Sequence, residues 1–251
     1  MDFTLKKYNK LLTSFLGAGY TFQTFEEFLQ NPKDKVVILR HDVDLKALNS
    51  LKTAQIEQGL GIKSSYYFRV IPQSNQPDII KQIIGLGHEI GYHYEDLSLF
   101  KGDENKAIKH FEKQLAYFRQ FYPVKTICMH GSPMSKINNI DIWNNYNYKD
   151  FGLIGEPYFD IDFDKVFYLT DTGRCWDGQK YSVRDKVNTI FKQSYHTTDE
   201  IIKAVSTGDI PNQIMITTHP QRWSDNLMEW CKELIVQNVK NCIKQIIVSH
   251  K

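Results

Sequence analysis

The sequence has little arginine, no closely spaced cysteines and no long apolar run, and each shortage excludes something. Only six of its 31 basic residues are arginine, and they stand with the lysines against 29 acidic residues, a net charge of +2. That balance lacks the basic excess that grips nucleic acid by releasing counterions, so no nucleic-acid partner is expected. No stretch approaches the roughly 18 apolar residues of a membrane span. The four cysteines, Cys128, Cys175, Cys231 and Cys242, form no C-x-x-C pair. The N-terminal apolar stretch is broken by polar residues and has no small-residue cleavage site after it. It reads as an amphipathic helix rather than an export signal. A cytoplasmic protein with free thiols is therefore the expectation.

What remains is ordinary globular material, 41% hydrophobic and 24% charged over 251 residues. These values exclude a disordered or collagen-like chain. No internal repeat, low-complexity tract or linker divides the chain. One domain over residues 1–251 is expected, with a helical extension at 1–34.

Apolar spacing predicts helices over 4–17 and 24–30, the first carrying Leu5, Tyr8, Leu11, Leu12 and Phe15 at helical intervals. Residues 35–44 then form a short apolar run that ends in charge, the pattern of a buried parallel strand. Strands alternate with helices from there. Strands are expected at 62–70, 88–93, 124–130, 151–156, 165–171 and 213–219. Helices are expected at 45–60, 77–87, 104–122, 197–208 and about 224–245, with a helical turn near 138–146. Pro77 near a helix start and Gly85 and Gly87 at its end punctuate one unit. A Thr197-x-x-Glu200 capping pattern opens another. Repeated βα units imply a parallel sheet with helical cover, and seven strands in this length fit an α/β barrel better than an open sheet.

The ends of these strands carry the polar residues. They read Arg40-His41-Asp42-Val43-Asp44, Tyr92-His93-Tyr94-Glu95-Asp96, Met129-His130-Gly131-Ser132-Pro133, Asp171-Thr172-Gly173-Arg174, and Thr218-His219-Pro220-Gln221-Arg222-Trp223. In a parallel barrel all C-terminal strand ends meet on one face. The two-residue period places Asp42 and Asp44 on the face of Arg40 and turns His41 away. His93 shares its face with Glu89 and Gly91, and His88 points opposite. His88 is set aside as a helix-end or strand-start residue. His110 and His250 are expected in solvent, and His196 beside a helix cap.

Asp42-Val43-Asp44 and Gly87-His88-Glu89-Ile90-Gly91-Tyr92-His93 resemble the first two motifs of the polysaccharide deacetylases, carbohydrate esterase family 4. Thr218-His219 resembles that family's final motif. The resemblance covers roughly residues 35–220 in the right order. It implies a distorted (β/α)7 barrel with mainly parallel strands, in agreement with the seven strands read independently. It also implies a divalent metal, usually zinc, that polarises an N-acetyl carbonyl. On the matching positions Asp42 would be the general base, Asp44 and His93 metal ligands, and His219 the general acid.

The chain departs from the family pattern in three places. An extra residue separates the first two acids. Leu97 stands where the second histidine of an H-x-x-x-H motif would, and it cannot ligate. The Arg-x-Pro-Tyr type third motif is replaced by His130-Gly131-Ser132-Pro133. His130 is the favoured third ligand, since imidazole suits zinc and the glycine after it allows a sharp turn; Glu95 is the alternative. Arg69, Tyr94, Asp171, Arg174, Arg222 and Trp223 are expected to line the mouth and bind a sugar, together with Tyr66, Tyr67, Tyr92 and Trp176. Asp171 could instead orient the base or belong to a loop turn. The expected activity is metal-dependent removal of an N-acyl group, acetyl foremost, from an amino sugar, free, nucleotide-linked or lipid-linked, in surface glycan synthesis. Hydrolysis of another C–N bond and a catalytically silent carbohydrate-binding barrel are the alternatives.

Overall fold

A computed structural model of the chain describes residues 1–131, 135–178 and 187–249. Eight residues of continuous apolar and then charged sequence form β2, Val36–Val43, and every one of them is buried. The other strands assemble around it. They are β1 (Thr21–Gln23), β3 (Ser65–Phe68), β4 (Glu89–Tyr94), β5 (Ile127–Met129), β6 (Phe167–Thr170) and β7 (Gln213–Thr218). They lie in the order β5-β4-β3-β2-β7-β6, and β1 pairs with the first residues of β2. Every ladder is parallel.

Nine α-helices stand among the described residues: α1 (Leu5–Gly17), α2 (Phe25–Gln30), α3 (Ala47–Gly59), α4 (Pro77–Gly85), α5 (Asp96–Leu99), α6 (Glu104–Phe118), α7 (Pro157–Asp160), α8 (Thr198–Thr207) and α9 (Leu227–Ser249). The outer faces of β3 and β4, with Tyr66, Phe68, Ile90 and Tyr92, pack on Ile80 and Ile83 of α4 and Phe111 and Phe118 of α6. Val37, Leu39, Phe167, Ile214 and Ile216 pack on α1 and α8. The inward residues Val36, Ile38, Tyr67, Cys128 and Met215 come from four strands yet share one cluster with Phe25 and Phe28 of α2. The sheet is therefore curled around an interior as a parallel α/β half-barrel, in keeping with the distorted (β/α)7 barrel expected from the sequence. Among the described residues no helix is long and apolar enough to cross a membrane.

Three local readings differ from expectation. The N-terminal stretch is not wholly helical, because Thr21–Gln23 adds β1 to the sheet; three residues are too few to show a period. The strand expected at 151–156 shrinks to one parallel bridge, Thr126 to Gly155. Gly152 takes φ +70 just before it and Pro157 opens α7 just after, which leaves little extended chain. Thr197 does cap α8, accepting from the Glu200 N–H at 3.3 Å, but Glu200 accepts from the His196 N–H instead of closing the box. The complete capping box is Thr24–Glu27 at α2.

Gly91 is the tight point of the interior. A Cβ there would lie 2.3 Å from Tyr67 Cε1 and 2.9 Å from the Thr126 carbonyl oxygen. Gly91→Ala is expected to cost about 1–3 kcal/mol, the range for overpacking. Gly85→Ala, where nothing lies within 4 Å, should be neutral or stabilising by up to about 1 kcal/mol. Urea titration of both variants measures the contrast.

Candidate active site

The end of β2 places three ionisable side chains in succession on alternate faces. Arg40 and Asp42 point inward, and His41 points out. Arg40 grips Asp42 with both arms, Nε to Oδ1 at 2.8 Å and Nη2 to Oδ2 at 2.6 Å. Burial pushes the Asp42 carboxyl up, but Arg40 and His93 outweigh it and hold it below the ordinary carboxylate range. His41 meets the buried Glu57 of α3 at 2.8 Å and Thr218 at 2.6 Å. Glu57 also accepts from Tyr8 at 2.5 Å, and from Ser64, which in turn contacts His88. His41 and His88 thus belong to a buried network outside the sheet.

Beyond Val43 the Asp44 N–H turns back to the Asp42 carbonyl at 3.0 Å. This tight turn absorbs the extra residue between the two acids and brings the second carboxylate to the mouth. Asp44 Oδ1 is buried and has no hydrogen-bond partner. It lies 3.6 Å from His93 Nε2 and 3.4 Å from His130 Nε2. Both distances are close to about 3.3 Å, the edge of a tetrahedron with metal–ligand arms of about 2.0–2.1 Å.

The His93 imidazole is held with the right nitrogen free. His93 Nδ1 lies 2.9 Å from the Cys128 carbonyl, which only accepts, so Nδ1 carries the proton and Nε2 offers its lone pair. His130 is fixed by its backbone, its N–H donating to the Tyr94 carbonyl at 2.8 Å and its carbonyl accepting from Asn139 at 2.9 Å. Its Nδ1 stands 3.1 Å from Glu95 Oε2. Glu95 is clamped by Arg69 at 2.8 and 2.7 Å. Burial raises the Glu95 carboxyl, but His130 and Arg69 outweigh it and bring it down to about 2. A carboxylate behind a ligand imidazole is a common support for a metal site.

Asp44, His93 and His130 bring their ligand atoms within 4.8 Å of one another, and so do Asp42, His93 and Cys128. The first set fits a cation better, because Arg40 already occupies both Asp42 oxygens while Asp44 Oδ1 is unpaired. Electrostatics agree. Burial pushes the His93 imidazole down, yet Asp42 and Asp44 outweigh it and raise it, a field that calls for positive charge at Nε2. Two imidazoles and one carboxylate suit zinc and leave a fourth position open.

His219 stands on the opposite side of the mouth. Its Nδ1 lies 2.6 Å from Asp171 Oδ1, and its Nε2 lies 3.9 Å from Asp44 Oδ2. Asp171 is fully buried and also accepts from Arg222 Nη1 at 2.5 Å and Trp223 Nε1 at 2.9 Å. Burial raises its carboxyl, but Arg222 and His219 bring it to about 2. It stays ionised beside the imidazole, whose Nδ1 lies 2.7 Å from Arg222 Nη1 as well.

A cavity of about 430 Å³ opens above these groups, lined by Asp42, Asp44, His93, His130 and His219 among others. Arg69 and Arg222 also line it, but several residues expected to bind sugar do not. Tyr94 turns outward by the same alternation that turns His93 inward, and packs on Phe111 and Trp143. Trp223 is buried against Phe3 and Tyr8. Arg174, at φ 62, turns away to the Trp230 carbonyl at 2.9 Å and the ring of Trp230. Asp171 works behind His219 and does not face the cavity. Tyr66, Tyr67, Tyr92 and Trp176 are buried. His110, expected in solvent, is half-buried and bonded to Asp96 at 2.5 Å. Ser132, Pro133 and His250 lie outside the described residues.

Some members of the site carry weak sequence signals. Gln221 donates to Asp44 Oδ2 at 3.3 Å, and its Oε1 is buried without a partner. Lys46, Lys232, Glu233 and Lys240 join the lining, the last three from α9. Nothing in the spacing of α9 points to a cavity wall.

No family model matches the chain, and no curated protein matches it. Among solved structures it is similar to a CE4 family pseudoenzyme from Bacillus anthracis, at 13% identity and TM-score 0.46, over 82% of this chain. The chain spans 61% of the length of that protein. It is also similar to a family 4 carbohydrate esterase from Streptomyces lividans in complex with acetate, at 14% identity and TM-score 0.41, covering 82% of this chain and 88% of the other. A third is the peptidoglycan deacetylase PdaC from Bacillus subtilis, at 15% identity and TM-score 0.36, covering 86% and 98%.

Glu95 does not reach the cation position, so its effect isolates the support of His130. Glu95→Gln is expected to weaken zinc binding by about 10–100-fold without unfolding the protein. Calorimetric titration with zinc measures it.

Proposed function

We propose that the chain is a metal-dependent hydrolase that removes an N-acyl group, most simply acetyl, from an amino sugar. The observation that carries this reading is the unpaired, buried Asp44 Oδ1 between the free Nε2 atoms of His93 and His130, flanked by Asp42 and His219. The motif resemblance in β2, β4 and β7 adds to it. Zinc is the cation the donor set favours. When bound it would polarise the scissile carbonyl and lower the pKa of water toward about 7.

The chain's own residues supply the proton traffic. Asp42 keeps free lone pairs beyond those Arg40 occupies, so it can accept the proton of the attacking water. Arg40 fixes the direction of that carboxylate and keeps it ionised. The water oxygen bonds to the carbonyl carbon, and the C–N bond then breaks. His219 Nε2 donates the proton that the departing nitrogen needs, and Asp171 stabilises the imidazole while its charge changes. The products are a free amino sugar and a carboxylate.

Asp42→Asn should keep the metal and lose activity by about 10²-fold or more, the scale of general-base loss. Activity against N-acetylated amino sugars, with elemental analysis of the same sample, measures both; loss of metal with activity would make Asp42 a ligand. His130→Ala should strip the metal. Retention of the parent's metal affinity with a raised KM would make His130 a substrate contact.

A further inference from the structure

One wall of the cavity comes from a helix, not from the sheet. Residues Lys232, Glu233, Val236, Gln237, Lys240 and Ile243 of α9 line it. They recur at intervals of three and four and so form one helical face. The helix is tied down: Asn241 donates to the Gly173 carbonyl at 2.9 Å, and Arg174 donates to the Trp230 carbonyl at 2.9 Å. The wall makes the mouth a pocket of about 430 Å³, within the usual range for a small ligand.

The charge of the lining is uneven. Three of its basic side chains have acidic partners. Lys46 meets Glu233 at 3.5 Å, Arg69 meets Glu95 at 2.7 Å, and Arg222 meets Asp171 at 2.5 Å. Lys232 and Lys240 have no ion-pair partner among the described residues, and both are exposed on the cavity side. Eight residues of helix separate them by about 12 Å along the axis. Two flexible stems over that span converge on a diphosphate more readily than on one phosphate ester. Neutral polymer would leave both ammonium groups idle.

We propose that the pocket takes an amino sugar linked to a diphosphate, with the sugar at Asp42 and His219 and the diphosphate between Lys232 and Lys240 of α9. The proposal rests on the hydrolase reading for the sugar end; the anion end stands on α9 alone. Nucleoside diphosphate and isoprenyl diphosphate carry the same anion.

The test compares the full-length parent, Lys232→Ala/Lys240→Ala and Lys232→Arg/Lys240→Arg. Each is assayed on N-acetylhexosamine as a neutral methyl glycoside, as a nucleoside diphosphate conjugate and as a short isoprenyl diphosphate conjugate. The expected result is preference for a diphosphate conjugate, the better one identifying the source. The alanine variant should raise KM for it about tenfold with kcat unchanged, the scale of losing charge-assisted hydrogen bonds. Its action on the neutral sugar should not change, and arginine should restore KM. Equal use of the neutral sugar, with no effect of the alanine variant, overturns the proposal and leaves the hydrolase reading standing. If no form is hydrolysed, the hydrolase reading fails, and calorimetry with inorganic pyrophosphate decides the anion site. Binding about tenfold weaker in the alanine variant and restored by arginine supports it; equal binding overturns it.

Discussion

Charge taken out of water must find a partner, and β2 buries three ionisable side chains in a row. Breaking one such pair typically costs about 3–5 kcal/mol, because the survivor is left charged and unpaired. Arg40 and Asp42 pair on the inner face, where Arg40 Nη1 alone is left without a hydrogen-bond partner. His41 is satisfied on the outer face by Glu57 and Thr218. The sheet order follows from the same need. β3 and β7 must flank β2 for Tyr66 and Thr218 to surround His41, and α3 must cover it for Glu57 to arrive. A one-residue slip of β2 would exchange the two faces, taking His41 from Glu57 and Thr218 and carrying the Arg40–Asp42 pair out of the mouth.

That constraint also builds the mouth. With Arg40 holding Asp42, the next carboxylate keeps one oxygen, Oδ1, without a hydrogen-bond partner, and the turn at Val43 sets it between two imidazoles. The Cys128 carbonyl fixes the proton of His93 on the far side, and the Glu95 carboxylate stands 3.1 Å behind His130 Nδ1. His219 Nδ1 is held between Asp171 and Arg222. Three ring nitrogens thus face one carboxylate across a small space. Arg40, Arg69 and Arg222 hold the carboxylates of Asp42, Glu95 and Asp171 in place.

The two-residue period made much of this legible. It separated Asp42 from His41 and His93 from His88, and it marked the strand ends as the polar face. Applied to Tyr94, the same period turns that residue into the core beside Phe111. Loops were harder. Trp223 follows a short turn that begins at Pro220, and its ring is drawn to Phe3 and Tyr8, more than 200 residues away in sequence. Arg174 takes a left-handed backbone that no strand pattern foretells. The α9 wall depends on which face of one helix meets the sheet, and a helix with apolar residues on several sides does not declare that face. Partners such as Glu57 and Tyr8 are single residues inside helices, and only the tertiary fold shows that β2 needs them.

The central claim is that one cation position is defined by Asp44, His93 and His130. X-ray absorption spectroscopy of the zinc-loaded protein tests it most directly. Two imidazole nitrogens and oxygen ligands at about 2.0–2.1 Å, with no sulfur shell, are expected. A sulfur at about 2.3 Å would place the metal at Cys128 with Asp42 and His93, and would contradict a cation held by Asp44, His93 and His130.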